Sequence, residues 1–213
     1  MLVIDVMTKD VVTVKKDTPV LDALKIMLDK NIRRLPVVSE RGKPIGMVTQ
    51  RRLEGLKPKS GAPLLWQIGN LVARTTVGDV MRKQVITIRP MDTIESAVAK
   101  AQAAKVGTLV VVEEGEIVGI VSTNDVFYRV VNPTLGIGET GARIVIVGGG
   151  EGKKMEQIIS TINKMGIPIK ITWAIYSPTN KKNNLVVHLE TDDAQPLVKE
   201  LIRQGFEARQ VVR

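Results

Sequence analysis

The sequence predicts an α/β chain, α+β in the strict sense, made of two βαββα repeats followed by a βαββαβ unit. Three observations carry this. Motifs recur in the same order with a period of about 74 residues. Apolar runs of strand length alternate with amphipathic runs of helix length. At residues 132–141 (NPTLGIGETG) a linker with one proline and three glycines interrupts the pattern, and the element order changes beyond it.

In the first repeat, Asp5-Val6-Met7 leads into a strand over 11–14 and a helix over 18–30. Two strands follow, 35–38 and 45–48, joined at Gly42 as a hairpin requires, then a closing helix. The second repeat opens with Asp79-Val80-Met81. It continues as a strand over 85–88, a helix over 92–105, strands 109–112 and 117–121 around Gly115, and a last helix. Gly46-Met47-Val48-Thr49 in the first repeat returns as Gly119-Ile120-Val121-Ser122 in the second. One such unit has too few strands to bury both sheet faces, so the two repeats should pack together. The segment 57–75 is an insert: breakers at Pro58, Gly61 and Pro63, then an amphipathic helix in which Trp66 reads as a packing anchor.

Ser122 to Asp125 is the chemically richest stretch. Ser122 is a good N-cap at the end of an apolar strand, and Asp125 falls one turn into the following helix. A hydroxyl, a carboxylate and helix-start N–H groups on one spot suit a sugar diol beside a phosphate. The first repeat has Thr49-Gln50-Arg51-Arg52 at the same place. Arg52 has donors and no acceptor, so it cannot grip a diol.

Composition bounds the function. Hydrophobic residues make up 44% of the 213, but aromatics only 3%, so the core is aliphatic. The absence of cysteine excludes disulfides, thiolate metal sites and cysteine nucleophiles, and fits a reducing compartment. The start of the chain has no signal-peptide layout, and no apolar run approaches the ~20 residues that span a bilayer. The expectation is a soluble cytoplasmic protein. The formal charge of +9 admits a polyanionic small ligand or a nucleic acid. The cations are scattered and carry no interleaved aromatics, so nucleic acid is the weaker reading. His188 is the lone histidine and has no acidic cluster at ligand spacing, which favours a structural role over a metal site. No Ser/His/Asp set or paired carboxylates stand out as catalytic residues.

On these motifs residues 1–131 resemble a tandem of CBS domains, a Bateman module. The carrying residues are DVM, VVTV, RRLPVV and GMVT, then DVM, VITI, TLVVV and GIVSTND. The expected domains are 1–56 and 76–131 around the insert, which is similar to that of AcuB-type acetoin-utilisation proteins. The resemblance implies a non-catalytic regulatory sensor of an adenine nucleotide: AMP, ADP, ATP or S-adenosylmethionine. It implies that Val106, Gly107, Ile120, Ser122, Asn124 and Asp125 hold base and ribose. It assigns Arg33, Arg34 and Arg51 to the phosphates, one nucleotide per chain. It also implies a homodimer, with no cofactor, no metal and an unidentified protein target.

Residues 142–213 predict a strand over 143–147 and the run GGGEG (148–152). A helix over 153–165, strands 169–176 and 185–189, a helix over 194–204 and a strand over 206–212 follow. That order is a ferredoxin-like plait. It resembles an ACT domain, which implies an amino-acid carboxylate held at Gly149, Gly150 and Gly152. A plain turn explains the same glycines, and the plait is a superfold with many uses. The rival readings are a plait that carries catalysis or binds nucleic acid, with the repeats regulating it.

Overall fold

The computed structural model describes residues 1–55 and 74–211. The predicted insert helix, Trp66 included, lies outside the described residues, as does Val212. The chain divides into two compact units, Met1–Val130 and Val131–Arg213.

The first unit holds both repeats. Repeat 1 comprises helix α1 (Val3–Val6), strand β1 (Val14–Lys15), helix α2 (Val20–Asp29), strands β2 (Arg34–Val38) and β3 (Pro44–Thr49), and helix α3 (Gln50–Glu54). Repeat 2 comprises α4 (Val77–Val80), β4 (Thr87–Ile88), α5 (Ile94–Ala103), β5 (Thr108–Glu113), β6 (Glu116–Ser122) and α6 (Thr123–Val126). Each repeat forms a three-stranded sheet, ordered β1-β2-β3 or β4-β5-β6, with the first pair parallel and the second an antiparallel hairpin. The long helices stop where Asn31 and Lys105 turn left-handed, at φ 51° and 52°. The next amide, Ile32 or Val106, then bonds back to the carbonyl of Met27 or Ala101.

The two DVM motifs do not serve their own repeats. Val3, Val6 and Met7 are buried in the core of repeat 2, with Ile88, Ile94, Leu109 and Val121. Val77 and Val80 are buried in the core of repeat 1, with Leu24, Met27, Leu35 and Val48. The backbone follows: Thr8 exchanges two hydrogen bonds with Ile120, and Arg82 exchanges two with Met47, all 2.9 Å. This exchange accounts for the paired glycines. A Cβ on Gly119 would collide with Met7 Sδ, and one on Gly46 with Met81 Sδ.

The first strand of each repeat is shorter than the predicted 11–14 and 85–88. In repeat 1 Pro36 sits opposite the missing part and has no N–H to donate. In repeat 2 the corresponding Val110 N–H does donate, to the Ile86 carbonyl at 3.0 Å. After α6 the chain widens into one π-helical turn, Phe127–Val131, which the sequence pattern does not signal.

The second unit contains α7 (Asn132–Leu135), β7 (Arg143–Ile146), α8 (Gly152–Lys164), β8 (Ile169–Ser177), β9 (Lys182–Leu189), α9 (Gln195–Arg203) and β10 (Ala208–Val211). Its sheet runs β10-β7-β9-β8 with every neighbour antiparallel. One face carries the core. Ile158 and Ile162 of α8 and Leu197 and Leu201 of α9 pack with Ile144, Ile146, Leu185, Val187 and Leu189. Residues 132–141 are not a free linker, which corrects the expectation. They open with helix α7, and Gly136 turns left-handed at φ 61°. The segment then lies on this unit's own sheet. The Thr140 carbonyl is 3.0 Å from His188 Nε2, and Arg143 donates to the Leu135 carbonyl. His188 is thereby fully buried, and Arg143 stacks over Trp173 at 5.2 Å.

Candidate functional site

Strand β6 delivers Ser122 in extended conformation, and α6 starts on the next residue. Asp125 then lies at the third helical position and closes a capping box. Its Oδ2 accepts from the Ser122 N–H at 2.8 Å and from the Ser122 hydroxyl at 2.5 Å, while Ser122 Oγ accepts from the Asp125 N–H. Oδ1 faces the exchanged N-terminal segment. It accepts from the Thr8 hydroxyl at 3.3 Å and lies 3.9 Å from Arg129 Nε. Arg129 Nη1 also donates to the carbonyls of Val6 and Met7, at 3.0 and 3.1 Å. One oxygen of Asp125 is thus committed to the fold. The other has a single weak donor and capacity to spare.

That oxygen borders a cavity of about 330 Å³ between the repeats. Repeat 2 contributes Thr108, Ile120, Ser122, Asn124 and Asp125. Repeat 1 contributes Thr8 and Asp10, the apolar Val11, Val12, Ile32 and Pro36, and the cations Arg33 and Arg34. The Val12 carbonyl has no hydrogen-bond donor among the described residues, because Pro36 stands where its ladder partner would be. A flat apolar group, a diol and an anion each meet a matching wall here.

Of the residues singled out in the sequence, Ile120, Ser122, Asn124, Asp125, Arg33 and Arg34 come together in this cavity. Arg51 does not; it lines an adjoining depression that shares Asn31, Ile32, Arg33 and Arg34 with it. Val106 and Gly107 do not either. They border a separate apolar cavity under α5 and α6. Gly107 touches the site indirectly: a Cβ there would stand 2.8 Å from Arg34 Nη2. Most of the apolar lining therefore comes from repeat 1, with Ile120 added from repeat 2. Thr8, Val11, Val12, Ile32 and Pro36 were missed. Their only sequence signal was a proline in a strand run, which marks an interrupted ladder.

The repeat-1 counterpart of the site differs at each of these points. Arg52 stands for Asp125, Arg82 for Thr8, and Thr49 caps α3 alone, accepting from the Arg52 N–H at 3.3 Å. The Ile86 carbonyl is already taken.

In the second unit, two of the three glycines expected to hold a carboxylate, Gly149 and Gly150, have their N–H groups engaged within the fold. The N–H groups of Gly148, Gly149 and Gly150 donate to Asn184 Oδ1, the Ile146 carbonyl and the Asn183 carbonyl. Gly149 and Gly150 are glycines for packing: a Cβ would press on Ile158 and Ile146, or on Ala174 and the Asn183 carbonyl. Among the described residues no group of three His, Cys, Asp or Glu is placed to hold a metal. No described helix is long and apolar enough to cross a membrane.

The model of the CBS domain matches residues 3–54 and 77–132, just over half of the chain. The chain belongs to the CBS-domain family. Over 125 residues the chain is 34% identical to a homoserine O-acetyltransferase of Methanosalsum zhilinae, which takes in 57% of this chain and 22% of that protein. An inosine-5'-monophosphate dehydrogenase of Korarchaeum cryptofilum is 33% identical over 126 residues, 59% of this chain and 23% of that protein. The chain spans under a quarter of the length of these curated relatives. Among solved structures, an acetoin utilization protein (AcuB) of Vibrio cholerae superposes with a TM-score of 0.52 at 27% identity, covering 62% of this chain and 91% of that one. The CBS-pair protein CBSX2 in complex with AMP gives 0.51 at 26% identity, covering 62% and 96%.

Proposed function

We propose that the CBS pair binds one adenine nucleotide per chain, in the cavity between the two repeats, and that the protein is a non-catalytic regulator. The single observation that carries this is the pairing, across one cavity, of two acceptors with capacity to spare. Asp125 Oδ1 stands on the repeat-2 side, and the unpaired Val12 carbonyl stands on the repeat-1 side beside Val11, Ile32 and Pro36. The ribose diol donates to Asp125. The adenine ring lies on the apolar wall, and its exocyclic amino group donates to Val12. The phosphates run toward Arg33 and Arg34, with Arg51 beyond them. The AMP complex of CBSX2 supports the ligand class. The repeat-1 counterpart, with Arg52 and Arg82 in place of the carboxylate and hydroxyl, offers no ribose grip, hence one nucleotide.

The second unit reads as an ACT-like ferredoxin plait on the strength of its strand order. In this reading two chains form a dimer, and nucleotide occupancy is passed on through dimer geometry and the plait to a protein target. Calorimetry with AMP, ADP, ATP and S-adenosylmethionine tests the ligand. Asp125→Ala should weaken the best of them by about 1.5–3 kcal/mol, the range for a hydrogen bond to a charged group. Unchanged affinity in a folded Asp125→Ala protein would rule the site out.

A further inference from the structure

Both repeats have a groove between the long helix and the short closing helix, but only repeat 2 leaves it open to the core. In repeat 1 the groove is a polar depression bordered by Arg33, Arg34, Gln50 and Arg51. Met27, 1% exposed, plugs its floor, and Leu24, Leu35, Val48 and Leu53 are sealed in the core behind. In repeat 2 the plug is gone. Ala101 stands at the position of Met27, Val98 at that of Leu24, and Val126 at that of Leu53. The groove therefore deepens into a cavity of about 260 Å³ that reaches Leu109 and Val121. Its floor is aliphatic, formed by Ala97, Val98, Ala101, Leu109, Val121 and Val126, while Gln102, Thr108, Ser122 and Thr123 also line it. At its rim stands Lys105, held at φ 52° where repeat 1 uses Asn31. Asn tolerates the left-handed region and Lys does not favour it, so the lysine is placed there against its own preference.

An unfilled apolar volume of this size destabilises a core. Apolar volumes of this kind take up small apolar molecules. The repeat comparison shows that this fold can keep the groove from reaching its core with one methionine. We propose that the cavity is a second ligand site, for a small carboxylic acid with a branched or cyclic hydrocarbon body of roughly six to ten heavy atoms. The body fills the space left by Ala101, and the carboxylate pairs with Lys105. The site stands apart from the nucleotide cavity, sharing only Thr108 and Ser122 with it as a common wall.

The test is a titration of the full chain with 4-methylpentanoate, hexanoate and benzoate, followed by calorimetry and amide chemical shifts. At least one acid should bind saturably and shift the amides of Ala97, Leu109 and Val126. Ala101→Met, the solution used in repeat 1, should weaken that acid at least tenfold without lowering the melting temperature. Val98→Leu serves if Ala101→Met does not fold. Lys105→Asn should weaken the acid but not its neutral amide. Binding of none of the three acids, or equal binding by Ala101→Met, overturns the proposal. So does a change of oligomeric state in Ala101→Met with no change in acid binding, which would make the cavity a socket for a second copy.

Discussion

At the scale of single residues, the site works by dividing labour within side chains. Asp125 uses Oδ2 to hold the start of α6 and keeps Oδ1 for the cavity. Pro36 acts by what it lacks, since a residue with an N–H would close the Val12 carbonyl as Val110 closes that of Ile86. Gly107 acts the same way. Its missing Cβ leaves room for the Arg34 guanidinium. Arg34→Ala should therefore cost ATP affinity more than adenosine affinity, because a guanidinium contributes chiefly to the charged ligand. Gly107→Ala should reproduce that pattern in weaker form by displacing Arg34. Calorimetry with both ligands decides. Equal losses for ATP and adenosine would remove Arg34 from the phosphates.

At the scale of elements, the exchanged segments couple the two repeats. Val6 is 2% exposed in the core of repeat 2. Val6→Ala should cost about 2 kcal/mol, from two lost methyl groups and the space they leave. Urea unfolding checks it. A loss near zero would mean that α1 does not dock in solution. In the second unit, α9 carries a titratable clamp. The Arg203 guanidinium, with help from Gln204, holds the Glu200 carboxyl at about 2, below its ordinary 4.5. A depressed carboxyl contributes stability that is whole above pH 4.5 and is lost as pH falls toward 2. Glu200→Gln should flatten the pH dependence of stability in that window alone, and acid titration of the melting temperature measures it. Its partner Arg203 is exposed and Glu200 only partly buried, so the effect is small and weakens with salt.

At the scale of the whole molecule, apolar side chains are left in water on the first unit. Leu21 and Leu28 lie two turns apart on one face of α2, 48% and 59% exposed, and Tyr128 is 64% exposed. Such surface favours a closed twofold dimer. Light scattering at micromolar concentration should give a dimer, and Leu28→Asp should shift it toward monomer. A monomeric wild type would remove the dimer from the proposed mechanism. Coupling requires a nucleotide that favours one geometry over another. Residues 132–141 report on it. Glu139 is exposed there, so cleavage by a glutamate-specific protease should change rate at saturating nucleotide. Identical rates would leave the dimer standing and discard the coupling.

The amino-acid pattern by itself determined the repeat, the CBS pair, the hairpins and the capped start at Ser122. Each is a local signal: a period, a turn glycine, a cap three residues from its partner. The structure alone decided which repeat each DVM segment serves, because Val3 and Val77 are equally apolar and only shape selects their core. It also decided that Val11, Val12 and Pro36 share a cavity with Asp125, a meeting of segments far apart in the sequence. The strap of 132–141 over His188 was invisible for the same reason. A glycine-rich run reads as a linker until a buried sheet face is there to receive it. Local chemistry is written residue by residue, whereas a cavity exists only once two separately specified surfaces are packed.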